Sequence, residues 1–216
     1  MDRGNRQSGA RHRLVVVRTN RRFTDQIHSE QQPTPRAKAD ANSKENAKQL
    51  GRILNSHKLT IITGACSGLP YITAKEGSGN GNPVWGFSPM LDLYGQKKFT
   101  PKDDLSIYKR LIFIPSNFEF ANNEQVCKKY RNVISTANCD VGIIISGRWG
   151  TMNEFTNLYD MGKVIGILTG TGGVADELPY LMKKVFKKTK AKIFFEDSPK
   201  KLIELVINCL TEQQML

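Results

Sequence analysis

The chain has 216 residues, 39% of them apolar, and a formal net charge of +12, which is enough to bury one full core and short for two domains. Its longest apolar runs, LVVV and LIFIP, fall far below the roughly 20 residues that cross a bilayer, so a membrane span is excluded. The four cysteines, Cys66, Cys127, Cys139 and Cys209, are widely spaced, without CxxC pairs or histidines at ligand intervals, which argues against a zinc site and for free thiols in a reducing compartment.

The N-terminal MDRGNRQSGARHR is arginine-rich, and no apolar segment of signal-peptide length precedes the polar RTNRRFTD, so secretion is not expected. A cytoplasmic location is the expectation. An organellar transit peptide is the alternative, since such leaders are also Arg- and Ser-rich, with Asp2 and the short length against it. Residues 1–11 read as a flexible basic tail and 12–216 as one domain. Residues 1–40 hold nine Lys and Arg against four Asp and Glu, so a surplus of five positive charges belongs to this region.

Leu14–Val17 is the first β-branched apolar run. The polar segment after it, with Pro33 and Pro35, reads as a long irregular loop over about 19–41. A helix then starts at Asn42, where Glu45 three residues on makes a capping-box-like pair and Ala47, Leu50, Ile53 and Leu54 form the apolar stripe. Further strands are predicted at Leu59–Thr63, Val84–Phe87, Leu111–Ile114, Val141–Ile145, Val164–Leu168 and Ile193–Phe195. One helix carries Pro70 in its first turn, and others cover 122–137, 151–162, 175–190 and 199–212. The alternation predicts an α/β fold: a single Rossmann-like, doubly wound domain whose mostly parallel sheet of about seven strands has helices on both faces.

In such a sheet, ligands bind beyond the carboxyl ends of the strands, so the residues directly after each apolar run carry the information. Gly64, Ser67 and Gly68 in GACSGLP form a short loop that lets backbone N–H groups approach an anion, although a tight turn explains it equally. It is neither GxGxxG nor a P-loop. The second loop, Gly147–Arg148–Trp149–Gly150–Thr151, is the stronger signal. Its glycines permit special backbone geometry, Thr151 is placed to cap the following helix, the first-turn N–H groups attract phosphate, and Arg148 adds a fork suited to phosphate or carboxylate. Glu154 lies near the start of that helix, where it either complements the dipole or faces a cation that forms in a substrate. Arg131, within CKKYRNVISTANCD, reads on its own as a surface arginine of a basic helix.

Taken together, ITGACSGLP, YRNVISTANCDVGIIISGRWGTMNEF and GKVIGILTGTGG resemble the LONELY GUY-type, or lysine decarboxylase-like, Rossmann-fold family, whose signature is a strand followed by PGGxGTxxE. Ser146 stands at the proline, Gly147 and Arg148 at the two glycines, Gly150 and Thr151 at GT, and Glu154 at the Glu. Arg131 and Asn132 stand at the family's RK pair. The likeness runs from about Leu14 to about Gly173, and it points to a branch close to molybdenum cofactor carrier-like proteins. It implies that Arg131 and Glu154 are a catalytic pair, that the two glycine loops hold the phosphate and ribose, and that a nucleoside 5′-monophosphate is hydrolysed to base and ribose 5-phosphate without metal or other cofactor, by a homodimer.

An ionised Glu154 near the anomeric carbon would stabilise an oxocarbenium-like transition state, and Arg131 would hold the ribose or phosphate. The departures at Ser146, Arg148, Asn132 and GACSGLP leave a second reading open: a non-catalytic nucleotide sensor or a carrier of a phosphorylated pterin. Arg148 is the residue expected to decide between them. Nucleic acid is a weaker expectation, resting on the tail and on MKKVFKKTKAK, whose lysines from Lys183 to Lys192 read as the solvated face of a helix with only Phe186 for stacking.

Overall fold

Every apolar run becomes a strand. In the computed structural model, which describes residues 12–17, 35–57, 59–185 and 187–214, the order is β1 (Arg13–Val17), α1 (Pro35–Leu54), β2 (Thr60–Thr63), α2 (Leu69–Gly79), β3 (Val84–Phe87), α3 (Leu93–Phe99), β4 (Arg110–Ile112), α4 (Glu124–Ala137), β5 (Val141–Ile145), α5 (Trp149–Asp160), β6 (Val164–Leu168), α6 (Val174–Lys184), β7 (Lys192–Glu196) and α7 (Pro199–Gln214). The expected tail at 1–11, residues 19–34 of the expected loop, and Phe186 lie outside the described residues.

The strands form one seven-stranded sheet of order β4-β3-β2-β1-β5-β6-β7, and every pairing is parallel. β1 lies between β2 and β5, with Leu14 opposite Ile61 on one side and Val141 on the other. The chain changes direction across the sheet here, so a crevice opens at the carboxyl ends of these central strands. β2, β5 and β6 are buried along their whole length, as strands covered on both faces must be.

Two apolar layers flank the sheet. Ala47, Leu50 and Leu54 of α1, Leu69 and Ala74 of α2, and Leu202, Ile203 and Val206 of α7 pack on one face. Phe155 and Leu158 of α5 and Ala175 and Leu178 of α6 pack on the other. Among the described residues, no helix is long and apolar enough to cross a membrane.

Local readings change at four places. α1 begins at Pro35, not Asn42, because proline with its fixed φ and missing N–H suits the first helical position; Asn42 and Glu45 lie inside the helix. α3 went unpredicted, a seven-residue helix whose N-cap Asp92 accepts from the Gly95 N–H at 2.7 Å. α5 begins two residues before Thr151. α6 stops at Lys184, and the chain beyond it is tied to α5 by Tyr159, whose hydroxyl donates to the Lys187 carbonyl and whose carbonyl accepts from Thr189 Oγ1 at 2.6 Å. The lysines from Lys183 to Lys192 are therefore split between a helix end, a loop and β7, and do not form one helical face.

Candidate functional site

The loop after β2 is shaped around an arginine. Arg131, only 7% exposed, reaches from α4 so that its Nη1 donates to the Gly64 carbonyl and lies 3.6 Å from Cys66 Sγ. A Cβ on Gly64 would fall 1.5 Å from that Nη1, so only glycine leaves room for the guanidinium. Ser67 donates its hydroxyl to Asp103 Oδ2 at 2.7 Å. Gly68, with φ +113, turns the chain into α2.

α4 starts at an Asn123 side-chain cap, which accepts from the N–H groups of Gln125 and Val126. Beyond Cys127, its buried face is polar: Arg131, Asn132, Ser135 and Thr136. Ser135 and Thr136 return their hydroxyls to the Asn132 carbonyl. Asn132 Nδ2 donates to Asn153 Oδ1 at 2.9 Å, which ties α4 to α5 next to Glu154.

The loop after β5 is held from behind by the loop after β6. Thr171 Oγ1 accepts from the Ser146 N–H at 2.8 Å and donates to the Leu168 carbonyl at 2.6 Å. The first N–H groups of α6, from Val174 and Ala175, donate to the carbonyls of Gly147 and Ser146. α6 thus spends its own N-terminal donors on the loop, while the first N–H groups of α5, on Trp149, Gly150 and Thr151, have no backbone acceptor among the described residues, the arrangement that attracts an anion to a helix start. Ser146 has φ +52 and uses its N–H. A proline can do neither, which accounts for serine at the signature's proline position.

Thr151 does not cap α5. The helix starts at Trp149 with Arg148 at the cap position, and Thr151 lies against Gly147, where a Cβ would fall 2.4 Å from its Oγ1. Its hydroxyl is buried without a hydrogen-bond partner, as are Arg131 Nε and Asn132 Oδ1. Buried polar atoms are nearly always satisfied. Asn82, Tyr108 and Asn157 also hold an unpaired atom; of the six residues, Arg131 and Asn132 line a cleft, where a polar ligand or water can satisfy them.

These elements enclose a cleft of about 1020 Å³ between the loop after β2, the α3 segment, α4 and the start of α5. Ser67, Arg131, Asn132 and Gly150 line it. Lys98, Lys102, Lys128 and Lys129 also line it, against the acids Asp103 and Glu124, so the cleft suits an anion. Glu124 pairs with Lys128, and Lys98 Nζ sits 4.2 Å from the Tyr94 ring. Gly147 and Thr151 are buried and Gly64 and Gly68 half-buried, all four outside the cleft lining. Arg148 is exposed and outside its lining, so the structure does not bring it to the cleft.

Glu154 is 4% exposed. Burial pushes its carboxyl up to about 7, with Arg131 and then Lys129 pulling the other way. No ion pair within 4.0 Å joins it to Arg131 among the salt bridges of the described residues. Burial likewise raises the Cys66 thiol, opposed by Arg131 and reinforced by Glu154, so these three groups share one electrostatic environment. Sequence reasoning missed Cys66, the lysines, Asp103, Asn153 and Trp149. The available signals were the Lys128–Lys129 pair directly before Tyr130–Arg131–Asn132 and an aromatic set between two loop glycines.

The SLOG cluster4 family profile matches residues 34–203, and the chain belongs to that family, within the LOG- and DprA-like SLOG superfamily. No curated protein matches it by sequence. Among solved structures, it is similar to TM1055, at TM-score 0.66 and 16% identity over 91% of this chain and 99% of that one. The molybdenum cofactor carrier protein of Chlamydomonas reinhardtii is similar at TM-score 0.61 and 13% identity, over 94% and 99%. The DNA processing protein A of Helicobacter pylori, described with a single-stranded DNA binding mode, follows at 0.55 and 16%, over 93% and 81%. At these identities the likeness is one of fold.

Proposed function

We propose that the chain binds a nucleoside 5′-monophosphate in the cleft and hydrolyses its N-glycosidic bond. The bond from the base nitrogen to the anomeric carbon breaks, water supplies the oxygen that replaces it, the base leaves with a proton, and ribose 5-phosphate remains. The observation that carries this reading is the buried Glu154 carboxyl in the field of an Arg131 whose Nε has no partner. A carboxylate there opposes the positive charge that develops on the sugar, and a value near neutrality suits a group that also orients or deprotonates water. The N–H groups of α5 and the cleft lysines take the phosphate.

Incubation of the pure protein with AMP and a panel of other 5′-monophosphates, with separation of products, tests this reading. Release of free base and ribose 5-phosphate is expected; no release from any member overturns it. The same reading takes the protein as a cytoplasmic homodimer, which sedimentation and fractionation check.

A second reading has its own observation. Glu154 does not line the cleft, and burial draws it toward the neutral acid, which stabilises no cation. A binder without turnover, for a nucleotide or a phosphorylated pterin, fits that state, and the fold of the Chlamydomonas carrier lends it support. Tight calorimetric binding with no product separates it from the first. Single-stranded DNA is a poorer fit, because Lys183–Lys192 do not form a continuous face.

A further inference from the structure

Trp149 is 84% exposed, the most solvent-open of the large apolar side chains among the described residues, yet it lines the cleft beside Gly150. It is the first residue of α5. Side chains on a helix lean toward its N-terminus, so an indole at the first position leans over the end whose free N–H groups attract phosphate. Met90 and Phe99 line the same cleft from the α3 segment. The site therefore combines anion donors, and two lining residues that each hold an unpartnered buried polar atom, Arg131 and Asn132, with apolar surface contributed from two elements.

We infer that Trp149 is the stacking platform for the planar heterocycle of the ligand. This rests on the proposed binding of a phosphorylated nucleotide or pterin, and adds which residue holds the ring. Stacking on an aromatic side chain is tolerant of the ring's identity because every base has a π-face, so Trp149 contributes affinity for a heterocycle as a class. Selectivity between purine and pterin falls to the polar atoms around it. The indole N–H remains free to face water, as suits a tryptophan at a wet edge.

The chain has two tryptophans, which makes the idea directly readable. Trp85 lies on β3 with the Arg110 guanidinium 5.2 Å from its ring centre, away from the cleft lining. AMP is expected to quench the wild-type emission, and the Trp149→Phe protein, which keeps only Trp85, is expected to lose that response. By calorimetry, Trp149→Ala is expected to weaken AMP and a pterin monophosphate by about ten- to a hundredfold while leaving ribose 5-phosphate unchanged. Trp149→Phe retains most of the affinity and shows that the ring, not the fold, is responsible. Whichever of AMP and the pterin binds tighter identifies the source of the ring.

An equal effect of Trp149→Ala on AMP and ribose 5-phosphate, or none on either, overturns the inference while the proposed ligand class stands. A Trp149→Ala protein that changes from dimer to monomer with unchanged AMP affinity overturns it too, and assigns the indole to a second copy of the chain. Failure of all three probes to bind the wild type removes the underlying ligand reading itself.

Discussion

Arg131 Nη1 donates to the carbonyl of Gly64, a residue 67 positions earlier in the chain. That bond clamps α4 onto the loop after β2, and it exists because position 64 has no side chain. Gly64→Ala would put a methyl 1.5 Å from the guanidinium nitrogen, and the arginine must leave. A hydrogen bond to a charged group contributes about 1.5–3 kcal/mol, so we expect Gly64→Ala to lose about that much stability, and AMP affinity to fall because the displaced guanidinium belongs to the cleft lining. Calorimetry on the variant, with circular dichroism to show that the sheet persists, checks this.

Glu154 predicts opposite pH slopes for stability and turnover. Its value of about 7 in the folded protein lies above the ordinary 4.5, so between those limits the folded chain holds a proton that the unfolded chain has released. The contribution is fully present below about 4.5 and is lost as the pH rises through about 7, about 3 kcal/mol in all. Turnover, which uses the ionised form, rises over the same range, with kcat/KM turning near pH 7. Glu154→Gln is expected to remove this component of the pH dependence of Tm and to lower turnover at least about a hundredfold, with AMP binding kept. A wild-type Tm that climbs from pH 5 to 8 relative to the variant would contradict the assignment.

The central strands β2, β5 and β6 were legible in the sequence because each is a short β-branched run buried along its whole length; the edge strands β4 and β7 are partly exposed and carry a weaker apolar signal. The β5–α5 loop was legible through Gly147, Gly150 and Glu154, whose spacing follows one helix start. Arg131 was not legible from its neighbours: beside Lys128, Lys129 and Tyr130 it looks like a surface residue, and only the tertiary approach of Gly64 buries it. α1 and α6 were misjudged at their ends for a related reason. Pro35 and Tyr159 set those limits through backbone geometry and a distant hydrogen bond, which leave no periodic trace. The role of Thr171 was hidden likewise, since its partner Ser146 belongs to another loop.

Thr171 is the hinge pin between the two loops. It is 2% exposed, accepts from the Ser146 N–H and donates to the Leu168 carbonyl. Valine keeps the shape and removes both bonds, leaving a backbone N–H at a residue already in the left-handed region. We expect Thr171→Val to lose about 1–3 kcal/mol in urea denaturation. AMP binding weakens as well, because the N–H groups of α5 are aimed by this loop. Unchanged stability would mean that water replaces the hydroxyl.

The cleft lysines are the last element with a measurable signature. Lys128 is paired with Glu124, and Lys98 rests on Tyr94, so Lys102 and Lys129 are the informative pair to remove. Both line the cleft, and Lys129 also opposes the upward shift of Glu154. Charges at a wet rim act over a Debye length, about 8 Å at physiological salt. The Lys102→Ala/Lys129→Ala protein should therefore bind AMP severalfold more weakly at low ionic strength, with the difference shrinking as salt is raised. Adenosine, which carries no phosphate, should bind both proteins alike. Because Lys129 stabilises ionised Glu154, the same variant should move the turning point of kcat/KM to higher pH. An effect on adenosine equal to that on AMP would show that these lysines shape the cleft and do not recognise the phosphate.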